Sequence, residues 1–364
     1  MDFICSKCKK KESVATRKAK CDCGGLWKLD YKVPKFDLKK IDTNEWNIFR
    51  YKNFIALDDT SYKDITLGEG LTPIINFDKN LMIKMDYFMP TLSFKDRGAA
   101  ILISHCKSIG VKSVVQDSSG NAGNSVAAYC AKANIDCEIF VPEGTSPKKI
   151  DMIKAHGAKI NVVEGSRDHC ADVCRLKVEK DGVYYANHVY NPFFYEGTKT
   201  YIYEVFEQLK RIPDNIFIPV GNGTLYLGVM KGLVELLDSG VIEKMPNIYA
   251  IQSENCAPLL KAFKSKMKET TSIEAKATLA EGIAIGKPMR GEEILELAYK
   301  YNVKFIYALE KDILEARNIL AKKGIYCEHT TAANYAAYLN YVKENGEIKD
   351  CLITMCGAGL KSDH

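Results

Sequence analysis

Three observations predict an α/β protein with mostly parallel sheets, helices on both sheet faces and a small cysteine-rich lobe at the N-terminus. Short apolar runs at residues 112–116, 137–141, 159–163, 215–220, 247–252 and 351–355 alternate with longer amphipathic segments. Strands separated by helices pair in parallel beneath those helices. Strings of glycine and other small residues follow three of these runs, and two cysteine pairs precede them all.

The composition agrees with such a body. With 364 residues, 46% hydrophobic and 27% charged, the chain can bury the core of two ordinary domains or of one large domain with an insertion. The net charge of +5 is small and spread over many lysines, so neither nucleic acid nor an anionic membrane is expected as a partner, while small anionic ligands remain compatible. No apolar leader opens the chain and no run approaches the roughly 20 residues needed to span a bilayer, which makes a cytoplasmic location the expectation. Most of the thirteen cysteines, including Cys106, Cys130, Cys137 and Cys351, sit singly in apolar segments as small hydrophobes. Without an export signal they are not expected to form a disulfide framework.

Taken in order, Cys5-Ser6-Lys7-Cys8 and Cys21-Asp22-Cys23-Gly24-Gly25 come first. Two knuckles supplying four thiolates suit a closed tetrahedral zinc site of structural rather than catalytic type, because no coordination position is left open. The second pair is one residue shorter than usual, and a reduced, metal-free lobe is the alternative. Residues 31–66 lack a clear period and read as an extended arm with a connecting helix. A turn-rich stretch at 67–73 leads into a strand.

Next comes Pro90-Thr91-Leu92-Ser93-Phe94-Lys95-Asp96-Arg97-Gly98-Ala99, a lysine among small and hydroxyl residues at a helix start. A lysine amine can form a Schiff base with an aldehyde cofactor and then shuttle protons, which makes Lys95 the candidate catalytic residue. The plain alternative is an exposed helix lysine. Asp117-Ser118-Ser119-Gly120-Asn121-Ala122-Gly123 lies between a strand and an alanine-rich helix at 125–133, where free amides favour an anion such as a substrate carboxylate. Pro219-Val220-Gly221-Asn222-Gly223-Thr224-Leu225 ends another strand and opens a helix. Its glycines let backbone close round a phosphate, although they miss the dinucleotide spacing G-x-G-x-x-G. Leu352-Ile353-Thr354-Met355-Cys356-Gly357-Ala358-Gly359-Leu360-Lys361 reads as a buried strand ending in glycines.

These four motifs, in this order, resemble the fold-type II pyridoxal-phosphate enzymes, the family of threonine synthase, threonine deaminase and cysteine synthase. The resemblance covers residues 90–361, and weaker agreement extends over 67–73, 191–200 and 280–286. It implies a cysteine-rich lobe at 1–30, a large cofactor domain from 31–96 and 191–364, and a small substrate-carboxylate domain at 97–190, the two larger units each built on a parallel sheet. It further implies that Lys95 carries pyridoxal phosphate, that Gly221, Asn222, Gly223, Thr224 and Leu225 cradle its phosphate, that Asn121 meets its phenolic oxygen and that Cys356 meets its pyridine nitrogen. Ser119, Gly120, Asn121 and Ala122 would line the substrate carboxylate, while Cys5, Cys8, Cys21 and Cys23 would hold zinc. A small amino-acid substrate and a homodimer are expected.

Threonine synthase is the nearest member in motif wording, which implies conversion of O-phospho-L-homoserine and water to L-threonine and phosphate. Two departures stand against it. Ala122 replaces a hydroxyl residue usual near the substrate phosphate, and Phe194 stands where a basic residue often follows the Asn191-Pro192 pair. Arg167, Arg97, Lys199 and His188 are the candidate replacements as phosphate readers. A β-eliminating or β-replacing relative, such as a serine or threonine ammonia-lyase or a thiol- or sulfite-using synthase, is the alternative. A regulatory or nucleic-acid-binding role through the cysteine lobe is the third reading; intact cofactor loops argue against it.

Overall fold

The computed structural model describes residues 1–57 and 60–361. Positions 58 and 59 of the expected arm, and 362–364 at the end of the expected large domain, lie outside the described residues. Among the described residues three sheets form. The lobe is an antiparallel sheet of β1 (Asp2–Cys5), β2 (Lys11–Ser13) and β3 (Trp27–Asp30). The arm that follows is a series of short 3-10 turns at Leu38–Lys40, Ile48–Phe54 and Ser61–Asp64, not the connecting helix expected from sequence. Its aromatic residues are spaced for anchoring rather than at a helical period, and Phe36, Phe49 and Phe54 are buried against the body.

The body begins with β4 (Ile74–Asp78) and β5 (Leu81–Lys84), followed by α1 (Lys95–Ser108). A four-stranded sheet then forms from β6 (Ser113–Gln116), α2 (Asn121–Ala133), β7 (Asp136–Pro142), α3 (Pro147–Ala155), β8 (Lys159–Val163), α4 (Arg167–Asp181) and β9 (Tyr184–Tyr185). Its order is β8-β7-β6-β9, parallel throughout. The chain continues through α5 (Phe193–Thr198), α6 (Thr200–Leu209), β10 (Asn215–Pro219), α7 (Thr224–Asp238), β11 (Asn247–Ser253), α8 (Pro258–Lys264) and α9 (Gly291–Lys300). It closes with β12 (Lys304–Ala308), α10 (Glu310–Lys322), α11 (His329–Asn345) and β13 (Cys351–Thr354). The six-stranded sheet has the order β12-β11-β10-β13-β5-β4, with only β4 antiparallel to its neighbour.

The apolar runs read as strands because both faces of the large sheet are covered. Ile216, Ile218 and Leu352 point into one core and Phe217, Ile353 and Tyr249 into the other. Parallel registers such as Ile216 with Leu352 and with Ile248 bring the carboxyl ends of β10, β11 and β13 to one edge. Ligands of open α/β sheets bind outside that edge, and the glycine-bearing loops emerge there.

Helix α1 and α5 touch almost backbone to backbone. A Cβ on Gly197 would collide with the Arg97 carbonyl, and one on Gly98 would collide with the Phe194 ring, which fills the space that glycine leaves. The lobe docks on the same region. Phe3 packs on Phe193, His105 of α1 stacks on Phe193 at 3.7 Å, and Arg290 donates to the Trp27 carbonyl at 3.0 Å. No helix among the described residues is long and apolar enough to cross a membrane.

Candidate active site

The loops at the two sheet edges enclose a cavity of about 310 Å³. Lys95, Ser119, Gly120, Asn121, Ala122, Gly221, Asn222, Gly223, Thr224, Leu225 and Cys356 all line it, so residues up to 261 positions apart (95 to 356) meet in one cleft. Lys95 opens α1 three residues after Leu92, whose φ of 60° places it in the left-handed region and turns the chain towards the helix. Asp96 locks this turn by accepting hydrogen bonds from the Thr91 amide (2.7 Å), the Thr91 hydroxyl and Ser125 of α2.

The Lys95 amine donates to Thr224 Oγ1 at 2.5 Å and lies 4.6 Å from the Phe94 ring centre. Burial lowers its pKa to about 7; nearby Cys356 and Glu328 oppose that shift, and Arg167 adds to it. A neutral amine is therefore accessible near neutral pH. Asn121 Nδ2 donates to Glu328 Oε2 at 2.9 Å. The Cys356 thiol is buried and pushed well above its ordinary value by burial and by Glu328, which keeps it protonated.

The glycine loop is shaped for backbone approach. Gly223 has φ of 80°, and a Cβ on Gly221 would sit 3.0 Å from the Gly282 carbonyl oxygen. Helix α7 starts with no side chain capping its first-turn amides, and α2 likewise. The buried Oδ1 of Asn222 has no hydrogen-bond partner among the described residues. Uncapped amides and an orphaned buried amide group are arranged to receive anionic and hydrogen-bonding ligand groups.

Two of the four candidate phosphate readers are elsewhere. Arg97 is fully buried between Asp86 and Glu204, and Lys199 between Glu196 and Glu235. Arg167 and His188 do line the cavity. His188 is held neutral, its pKa lowered by burial, Lys95 and Arg167, and its Nδ1 lies 3.1 Å from Gln116 Oε1. Glu328, Lys149, Glu281 and Lys361, none of them expected in the site from sequence, also line the cleft. Glu328-His329-Thr330-Thr331 at the start of α11 has the polar signature of a helix N-terminus, and that signal could have brought Glu328 forward.

A family model described as "Pyridoxal-phosphate dependent enzyme" matches residues 65–357. The threonine synthase of Methanocaldococcus jannaschii is 31% identical over 376 residues, spanning 98% of this chain and 92% of the relative. The threonine synthase of Methanosarcina acetivorans is 30% identical, spanning 86% of this chain and 80% of the relative.

The chain belongs to the pyridoxal-phosphate-dependent enzyme family.

Its fold is the fold-type II arrangement of that family. Maize serine racemase superposes with a TM-score of 0.72 at 20% identity, covering 84% of this chain and 94% of the racemase. Threonine deaminase isoform 2 of Solanum lycopersicum superposes with a TM-score of 0.71 at 21% identity, covering 90% and 86%. The cleft fits the family's cofactor: a glycine loop before an uncapped helix suits its phosphate, and a protonated thiol suits a ring nitrogen that is not strongly protonated.

The lobe gathers the other expected set. The sulfurs of Cys5, Cys8, Cys21 and Cys23 all lie within 4.8 Å of one another, with Cys5 3.4 Å from Cys23 and Cys8 3.6 Å from Cys21. Sulfurs around tetrahedral zinc lie about 3.8 Å apart for Zn–S bonds near 2.3 Å. A Cβ on Gly25 would approach Cys5 Sγ to 2.5 Å, and the Gly25 amide favours Cys23 as a thiolate.

Proposed function

We propose that this enzyme converts O-phospho-L-homoserine and water to L-threonine and phosphate. The observation that carries the reading is the likeness to proteins named threonine synthase, which runs through the lobe as well as the cleft. In this reading Gly221, Asn222, Gly223, Thr224 and Leu225 hold the cofactor phosphate, Asn121 its phenolic oxygen and Cys356 its pyridine nitrogen. When bound there, the cofactor would supply an electron sink for the carbon acids of the reaction.

The chain supplies binding and proton movement. Ser119, Gly120, Asn121 and Ala122 orient the substrate carboxylate at the uncapped start of α2. Lys95 Nζ, whose burial favours the neutral amine, would take the α proton and pass protons among the substrate carbons. Phosphate leaves from the γ carbon and water adds at the β carbon. Thr224 Oγ1 keeps the amine directed into the cleft. A second reading, elimination of ammonia from serine or threonine, is favoured by one feature: Ala122 and Phe194 offer no donor to a substrate phosphate.

The deciding assay supplies holoenzyme with O-phospho-L-homoserine and follows threonine and phosphate, with L-serine and L-threonine tested in parallel for keto acid. Equal amounts of threonine and phosphate are expected; keto acid without threonine would establish the second reading instead. For the lobe we infer one structural zinc ion on Cys5, Cys8, Cys21 and Cys23. Metal analysis should find one zinc per chain, lost in Cys8→Ser, and a zinc-free purified protein with native stability would refute the site.

A further inference from the structure

The cleft has more positive charge than the cofactor reading uses. Lys95, Lys149, Arg167 and Lys361 line it against two carboxylates, Glu281 and Glu328. Lys361 is buried and donates to the Thr91 carbonyl at 2.7 Å, which ties it to the lysine turn. The other two cations come from the small sheet. Lys149 lies in the first turn of α3, and Arg167 is the first residue of α4. Those helices follow β7 and β8, so both side chains rise from the carboxyl edge that faces the cavity.

Their placement is locally unfavourable. A cation in the first turn of a helix opposes the helix dipole, and an anion within reach relieves it. Arg167 is exposed and makes no ion pair among the described residues, yet its field reaches both Lys95 and His188 inside the cleft. Lys149 spans the cleft mouth to Glu281 at 2.6 Å, with Glu281 62% exposed. A half-solvated pair of this kind holds weakly, so a dianion entering the cleft competes well for the ammonium. Arg97 and Lys199 are removed from this role by their buried carboxylate partners.

We propose that Arg167, joined by Lys149 on release from Glu281, clamps the distal phosphate of the substrate and so replaces the donors absent at Ala122 and Phe194. This assignment rests on the phosphohomoserine reading and names how that substrate is selected. A guanidinium can meet two phosphate oxygens at once, and the exchange of Lys149 from Glu281 to phosphate draws the small sheet's helices over the bound substrate.

The test titrates holoenzyme with two non-reacting ligands: the phosphonate isostere of O-phospho-L-homoserine, with a methylene replacing the ester oxygen, and L-norvaline, which lacks the anion. Binding is read from the visible absorbance of the bound cofactor. The wild type should prefer the phosphonate by at least roughly 100-fold, and Arg167→Ala should lose roughly 10- to 100-fold of that preference. Lys149→Ala should lose a smaller share, Arg167→Lys should keep part, and norvaline affinity should move by less than about twofold throughout. Full preference retained in the double variant would overturn the clamp and leave the phosphohomoserine reading standing. Absence of preference in the wild type, with no turnover of O-phospho-L-homoserine, would overturn both.

Discussion

Lys95 and Arg97 leave the same turn of α1, and both are withdrawn from bulk water, but they meet opposite surroundings. Arg97 is enclosed by Asp86 and Glu204, with guanidinium to carboxylate distances of 2.6 to 3.0 Å, and Lys84 joins Glu204 at 2.7 Å. Its charge is held more firmly than in water. Lys95 meets a hydroxyl and two aromatic rings, with no carboxylate in ion-pair contact among the described residues, and its amine falls to about 7. Burial disfavours charge at both sites; the neighbours decide the outcome. The fold makes a structural cation by surrounding it with acids, and an amine that can be neutral by withholding them.

The largest test of this contrast is Lys95→Ala. Turnover should fall by at least about 10³-fold, with loss of the cofactor's visible absorbance in its lysine-bound form. The cofactor-free variant should be at least as stable as wild type in urea at pH 7. The amine's depressed pKa costs stability at and below about pH 7, and that cost fades as pH rises from about 7 towards the unfolded value of 10.5. A marked loss of stability would mean that Lys95 is a structural group after all.

Arg97→Ala should behave in the reverse way. It leaves two buried carboxylates with Lys84 alone, and the expected loss is about 3 to 5 kcal/mol in urea unfolding. A cost under about 1 kcal/mol would show the ion cluster to be dispensable. A finer measurement is the pH dependence of pyridoxal phosphate uptake by the cofactor-free protein. Only the neutral amine attacks, so the rate should rise with pH and level off above about 7. Glu328→Gln removes a carboxylate that favours the charged amine and should move the midpoint down by less than about one unit. An upward shift would contradict the electrostatic picture of the cleft.

Much of this was legible in sequence, for reasons that particular residues make clear. The buried parallel strands announced themselves as apolar runs, and residues 159–163 match β8 end for end. The two-residue β9 and the 3-10 turns of the arm were not legible, because neither has a period and both are set by what they pack against. Asn121, the glycine loop and Cys356 were found in the cleft lining because each sits in a string of small residues just past a strand, and Lys95 because it stands among small and hydroxyl residues at a helix start. The charged lining of the cleft was harder. Arg97, Lys199 and Arg167 look alike in one dimension, and only the folded chain shows that Glu204, 107 residues from Arg97, takes it out of the cleft. Lys149 and Glu281 lie 132 residues apart and become neighbours only when the two sheets face each other.

The near-contact of α1 with α5 bears on how this protein could change over time. Phe194 occupies the space left by Gly98, and Gly197 crosses the Arg97 carbonyl with no room for a side chain. A basic residue at 194 would therefore remove a buried ring from beside α1 and put a charge in its place. The cost of that substitution should appear as strong non-additivity between changes at 98 and 194. Position 194 is thus a packing position first: a charge placed there has to be matched by a change on the facing surface of α1.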